Sequence, residues 1–380
     1  MSTPLLSYIV LSYNYEEYIG ITINSILSQT HQDFEIVVVD DASRDNSVDV
    51  VRSFDDPRIR LFVHEENRGA CIALAWALRE ARGEWIVNLD ADDWIAPEKA
   101  ERQLARAKTT GADIIGTWVR FVDERGQPHP RAVELEEAAN QPHQFDLVES
   151  WIGRNILCRS STMVRRAMIE RIGTPELTMV RAPDYEHWVR ALAAGFRFDM
   201  VEEPLTYYRL QPRGVTFGDP MGTLLEMCWA KARNLVPLAE RRGLNEDISA
   251  MLRWLVESDQ RLELTPTQSL RLIGALTLGP NCADYAAWRD MILGPTPEPI
   301  YERAGRSMLN LIIGSGQLSL VAKLLTDCHA YIEARDWWKA QSDMWEANAL
   351  ALKDRVHQQS IDSGRRRSWH QYFRKGASLC

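Results

Sequence analysis

Glu84-Trp85-Ile86-Val87-Asn88-Leu89-Asp90-Ala91-Asp92-Asp93 is a short apolar run that ends in carboxylates. It follows Arg82-Gly83 directly, and residues 84–89 read as a buried strand. Three acids then fall within four positions where the strand ends. Strand alternation sends Asp90 and Asp92 to one side and Ala91 to the other. Two close carboxylates repel unless a cation lies between them. A hard divalent ion with oxygen ligands, Mg²⁺ or Mn²⁺, suits such a pair, with diphosphate oxygens completing its shell. The competing reading is an acidic helix N-terminus ahead of Pro97 and a helix from Glu98.

Upstream, strands and helices alternate. Ser7 to Ser12 reads as a strand, followed by Tyr13-Asn14-Tyr15 as a loop and a helix over about 16–28 with Ile19, Ile23, Ile26 and Leu27 inward. Phe34 to Val39 is a second strand, with Asp40-Asp41-Ala42-Ser43 after it and a helix over about 46–54. Ile59 to His64 is a third, and Glu66-Asn67-Arg68-Gly69 turns into a helix over about 70–81. This alternation predicts an α/β doubly wound, mostly parallel sheet. In such sheets ligands gather at the carboxyl ends of the strands. Tyr13, Asn14, Asp40, Asp41, Asn67, Gly69 and Asp90 to Asp92 all fall at that edge. No GxGxxG follows the first strand and no GxxxxGK[ST] occurs, so dinucleotide and P-loop readings lack their glycine cradles. Asp40 and Asp41 suit acceptance of hydrogen bonds from a base or ribose, or stand as solvated acids at a strand end.

At 380 residues the chain predicts two domains. Its 45% apolar and 26% charged content is that of a soluble globular protein, and a net charge of −9 argues against nucleic acid as a partner. Met1 to Pro4 is polar and the next apolar run is a strand's length, so no signal peptide is expected. The six cysteines are scattered without CxxC spacing, which predicts reduced thiols, no zinc and a cytoplasmic location.

The motifs taken together carry a resemblance. YIVLSYN (8–14), SILSQT (25–30), VVDDAS (38–43), NRG (67–69) and GEWIVNLDADD (83–93), in this order and spacing, resemble family 2 glycosyltransferases of GT-A fold over residues 1 to about 215. The resemblance implies inverting transfer from a nucleoside-diphosphate sugar, UDP-sugars first, to a glycan or lipid-linked acceptor hydroxyl in surface polysaccharide or glycoconjugate synthesis. It places Asp41 on the nucleotide base and makes Asp90-Ala91-Asp92 the DxD motif, with Asp92 on the metal and Asp90 nearer the ribose or sugar. Tyr13, Asn14, Asp40, Asn67, Gly69 and Ala91 complete the donor side. In Ala182-Pro183-Asp184-Tyr185-Glu186-His187-Trp188, Asp184 matches the catalytic base, which must reach the acceptor hydroxyl to take its proton; capping a helix after Pro183 is its plainer role. Trp188, one turn on, suits sugar stacking or the core.

Two positions depart from the family. Leu74 and Ala75 stand where relatives often carry Arg-Asn beside the diphosphate, and Gln211 stands where many have a His near the metal. Neutralisation then rests on the metal, with Arg68, Arg209 or Arg213 assisting. Residues 126–144, rich in Pro, Glu and Gln, read as surface loop. Gly214 to Gly222 reads as a linker, and beyond it the pattern turns helical. The expected plan is a GT-A domain over 1–215, a helical C-terminal domain over 222–360, with Trp338, Trp345 and Leu352 at seven-residue spacing, and a basic, aromatic tail over 361–380. Such a tail suits peripheral contact with the inner face of the cell membrane, or disorder. Two rivals remain: a non-catalytic nucleotide-sugar-binding or scaffold protein, and a sugar nucleotidyltransferase, whose glycine-rich loop after the first strand is missing here.

Overall fold

The structure, a computed structural model, describes residues 4–211, 219–262, 268, 271–273, 275, 276, 282 and 284–294. The readings made for 295–380, including the Trp338 seam and the tail, lie outside the described residues, as does Arg213. Two compact units emerge, one of residues 1–242 with 284–286, the other of 243–283 and 287 onward.

The first unit is built on an eight-stranded sheet of order β3-β2-β1-β4-β7-β6-β8-β5. β1 (Leu6–Ser12), β2 (Phe34–Asp40), β3 (Ile59–Val63) and β4 (Trp85–Asp90) pair in parallel. β1 and β2 are buried at every position, as near-continuous apolar strands must be when helices cover both faces. Between them run α1 (Ile19–Leu27), α2 (Ser47–Arg52) and α3 (Ala70–Glu80). Ile19, Ile23 and Ile26 of α1 join Tyr8, Val10, Val38 and Leu89 in one core cluster, the stripe expected from their spacing. Gly83 lets α3 return to β4, since a Cβ there would lie 2.5 Å from the Ser7 nitrogen.

Beyond β4 the sheet becomes mixed. β5 (Trp94–Ile95) is followed by α4 (Lys99–Thr110), β6 (Ile114–Val122), α5 (Ala132–Ala139), β7 (Met163–Arg165), α6 (Arg166–Ile172), α7 (Pro183–Ala193) and β8 (Phe198–Arg209). β7 is antiparallel to β4 and β6, β5 is antiparallel to β8, and β6 runs parallel to β8. The mostly parallel GT-A architecture is thus present. One expectation is corrected: the 126–144 stretch contains α5, whose AVELEEAA sequence is rich in helix formers despite its polarity. Glu136 and Asn140 there accept from the Phe121 and Val119 amides, covering the open edge of β6.

Two further helical segments pack with the sheet unit although the pattern change near 215 separates them from it. α8 (Pro220–Ala230) runs through a π-helical turn, Lys231–Leu235, into α9 (Val236–Arg242). Leu224, Leu225, Trp229 and Leu235 are buried. In the second unit α10 spans Asn245–Leu262 with Met251 and Leu255 inward, and Arg271 donates to the Met291, Ile292 and Gly294 carbonyls. Among the described residues no helix is long and apolar enough to cross a membrane.

Candidate active site

The carboxyl ends of β1, β2 and β3 form one cross-linked floor. Asn14 holds a left-handed backbone, φ 60°, which Asn tolerates better than most residues. Its amide donates to Ser43 Oγ at 2.8 Å and its Oδ1 accepts from the Arg44 amide at 2.8 Å. The paired acids after β2 have different duties. Asp40 accepts from the Ser43 amide at 2.8 Å and hydroxyl at 2.6 Å, so it builds its own turn. Asp41 reaches across to the Asn67–Gly69 turn, accepting from Arg68 N and from Gly69 N at 2.7 Å, with His64 Nδ1 at 2.8 Å. Gly69, at φ 89°, gives the turn a conformation that a side chain would strain. Arg68 N is shared between both oxygens, so four contacts occupy the roughly four acceptor sites of Asp41 and tie it to this turn. Tyr13 and Asn67 are exposed on the rim.

The acidic strand end is shaped by groups from four elements. Thr22 Oγ1 lies 2.8 Å from the Ala91 carbonyl, and Ala91 itself is fully buried. Asp93 is buried and accepts from the Arg209 amide at 2.8 Å. Burial, then Asp92 and Asp90, push its carboxyl well above the ordinary range. Asp92 accepts from Gln211 Nε2 at 2.7 Å; burial first, and Asp90 second, raise its pKa to about 6. Asp90 is ion-paired to the Arg159 guanidinium and within 3.2 Å of Ser160 Oγ.

Arg209 corrects an expectation. Its Nε donates to the Asp92 carbonyl at 2.9 Å and its Nη1 to the Asp123 and Glu124 carbonyls at 2.9 and 2.7 Å. The guanidinium lies over the Tyr18 and Trp94 rings, and the residue is only 4% exposed. It is a clamp on the acidic loop, not a free phosphate contact. A groove of about 450 Å³ lies on that side of the loop and is lined by Glu17, Tyr18, Trp94 and Arg209. None of the four site carboxylates reaches it.

Asp184 opens α7, with Pro183 at the helix start where its missing N–H costs nothing. Asn155 Nδ2 donates to Asp184 Oδ2 at 2.7 Å, and the Tyr185 amide to Oδ1 at 2.8 Å. Burial is the largest influence on this carboxyl and raises its pKa to about 6, against the lowering pull of Arg159. A cavity of about 20 Å³, room for one water, lies between Leu74, Asn88, Arg159, Asp184 and Trp188. Trp188 is a core side chain rather than a sugar platform: 1% exposed, with Nε1 donating to the Leu157 carbonyl at 3.1 Å. His187 Nε2 donates to the Gly173 carbonyl at 3.0 Å, and burial lowers its pKa to about 3, so it is neutral.

The loop before Asp184 is fixed from a distance. Glu226 of α8 is 2% exposed and accepts from three successive amides, Val180 at 2.8 Å, Arg181 at 2.7 Å and Ala182 at 2.6 Å. Sequence reasoning missed Glu226, Asn155, His64 and Arg159. For Arg159 a faint signal existed: it is a lone cation inside CRSS (158–161).

Asp90 and Asp92 suit a divalent ion. Both are hard oxygen ligands at one strand end. Among the described residues no third acid, His or Cys joins them, so such an ion would draw the rest of its shell from phosphate and water.

An α/β sheet with acids along its carboxyl edge and a half-buried carboxylate opening a helix beside them fits the GT-A class of sugar transferases. Residues 7–173 match the glycosyl transferase family 2 domain, and the chain belongs to that family. It is 30% identical over 219 residues to the uncharacterized glycosyltransferase MJ1057 of Methanocaldococcus jannaschii, a match covering 56% of this chain and 73% of the relative. It is 26% identical to the Escherichia coli UDP-Glc:alpha-D-GlcNAc-diphosphoundecaprenol beta-1,3-glucosyltransferase WfaP, over 56% of this chain and 80% of that one. In fold it is similar to S. aureus TarS 1-349, solved in complex with UDP-GlcNAc, with a TM-score of 0.51 at 17% identity over 86% of this chain and 91% of that one.

Proposed function

We propose that this chain transfers a glycosyl group, with inversion, from a nucleoside-diphosphate sugar to an acceptor hydroxyl in surface glycan synthesis. One observation carries the reading: the Asp184 carboxylate, held by Asn155, faces the same small cavity as Arg159, the partner of Asp90. That adjacency supports a reaction centre shared by the base and the donor-end acids. Asp41 takes the base of the nucleotide, and Asn14 and Gly69 shape its bed. Asp184 removes the acceptor proton as that oxygen attacks the anomeric carbon. The bond from that carbon to the diphosphate oxygen breaks on the opposite face, and the nucleoside diphosphate leaves. Asp92, with Asp90, would hold Mn²⁺ or Mg²⁺, which supplies charge stabilisation for the leaving diphosphate. Uridine nucleotides are the first donors to try, and lipid-linked saccharides the first acceptors, following the names of TarS's bound ligand and of WfaP.

The test is donor hydrolysis, which needs no identified acceptor. Purified protein with Mn²⁺ or Mg²⁺ is given UDP-, GDP- and dTDP-sugars beside Asp92→Ala and Asp184→Asn. Metal-dependent release of one nucleotide, lost in Asp92→Ala, supports the reading. Nucleotide binding without turnover, even with candidate acceptors, would instead favour a nucleotide-sugar-binding protein.

A further inference from the structure

We propose that Arg159 is the site's phosphate-binding cation, parked on Asp90 in the free protein and turned onto the donor's diphosphate when nucleotide and metal bind. The inference deepens the proposed function and rests on it.

Arg159 sits on the short 3-10 turn Arg159–Ser161, ahead of β7. Its side chain is only 16% exposed, yet its guanidinium has a single hydrogen-bonding partner among the described residues, Asp90. A guanidinium carries five N–H donors in a fixed planar fork. The donors that Asp90 does not engage remain free to meet the oxygens of a ligand. An arginine guanidinium stays charged at any working pH.

The alternatives for neutralising an incoming anion are poor. Arg209 is spent on three backbone carbonyls, and Arg68 is half exposed and paired with Glu66 at 3.3 Å. Leu74 presents an apolar wall to the cavity that Arg159 lines, and His187 there is neutral. A diphosphate entering among Asp90, Asp92 and Asp184 adds charge of the sign already in excess. A divalent ion on the aspartates would displace Arg159 from Asp90, because both compete for one carboxylate. The freed fork matches phosphate oxygens bidentately. Arg159 thus serves as a placeholder that keeps the acidic pair from repelling itself apart before the donor arrives.

The test is calorimetry on wild type, Arg159→Met and Arg159→Lys, in Mn²⁺, with UDP, GDP and dTDP and the matching monophosphates. Wild type should bind one diphosphate more tightly than its monophosphate. Arg159→Met should weaken the diphosphate by about 10–100-fold and the monophosphate less than about twofold, with Arg159→Lys between them. Without nucleotide, Arg159→Met should bind Mn²⁺ more tightly in electron paramagnetic resonance titrations, since Asp90 is released. A diphosphate advantage intact in Arg159→Met, or in Arg159→Lys if the methionine variant does not fold, overturns the inference alone. So does unchanged nucleotide affinity with lost binding of a prenyl diphosphate in micelles, which would assign Arg159 to the acceptor. No nucleoside diphosphate binding by wild type would overturn the proposed function itself.

Discussion

Replacing Glu226 by glutamine separates positioning of the base from donor binding. The carboxylate accepts three consecutive amides, one on Oε1 and two on Oε2, just ahead of Pro183 and Asp184. The glutamine can keep the Arg181 and Ala182 amides on its one oxygen, but its NH₂ then faces the Val180 N–H, donor against donor. A buried donor left unmade costs about 1–3 kcal/mol, and loss of charge weakens the other two bonds by roughly 1 kcal/mol together. Burial of the native carboxylate, which raises its pKa, offsets part of this, because the neutral amide is cheaper to bury. A net loss of about 2 kcal/mol corresponds to a melting point lower by about 4–8 °C for a unit of this size. The functional effect should exceed the thermal one: a shift of about 1 Å at the α7 N-terminus lowers kcat roughly 10²-fold. Nucleotide affinity should not change, because Asp41 and its partners belong to the other end of the sheet. The assays are a thermal melt, nucleotide calorimetry and donor turnover on one preparation. A lower melting point with unchanged kcat would refute the claim that α8 sets the base, leaving Glu226 a purely structural anchor.

Asp184→Asn should cut transfer by about 10²–10⁴-fold while leaving nucleotide binding intact, measured by turnover and calorimetry. Wild-type kcat should rise with pH through about 6, because the base works ionised and burial raises its carboxyl to that value. The sign for stability is opposite: a carboxyl raised from 3.8 binds its proton more tightly when folded, so stability falls as pH climbs from about 4 to 6. Asp184→Asn should therefore melt no lower than wild type at pH 8. Gln211→His should strengthen Mn²⁺ binding, since it replaces the Nε2 donor on Asp92 by an imidazole able to ligate; unchanged affinity by calorimetry would count against Asp92 as a ligand. Trp188→Phe should lose about 1–3 kcal/mol in denaturant melts through the orphaned Leu157 carbonyl, with acceptor KM unaffected if the ring is purely core.

The parallel half of the fold was legible because burial on both faces writes itself as apolar runs. β1, β2 and β4 fall within a residue or so of where composition puts them, and the strand-end acids follow at once. Asp40 and Asp41, adjacent in sequence, were not separable that way. Only the turns of the chain decide that one closes on Ser43 and the other reaches Gly69. Arg209 misled because charge is visible in a sequence and its partners are not: three backbone carbonyls and two rings consume it. Arg159, Asn155 and Glu226 were hidden for a related reason. Each acts from an irregular segment or a distant helix at a separation of 29 to 69 residues, and no periodicity marks such contacts.

The two sides of the site are consequently held by different physics. Asp41, Asp90 and Asp92 stand on strand ends locked by a parallel ladder, so their spacing varies little with what surrounds them. Asp184 stands on a helix whose entry is fixed by side-chain clamps, Asn155 from one loop and Glu226 from α8. Hydrogen bonds from single side chains are worth about 1–3 kcal/mol each, against the cooperative burial of a whole strand. Substitutions in the clamps should therefore move the base long before they disturb the nucleotide bed. If the proposed function holds, substitutions in residues 145–182 and α8 should change acceptor use before donor use, which turnover against a panel of acceptors with one fixed donor would show.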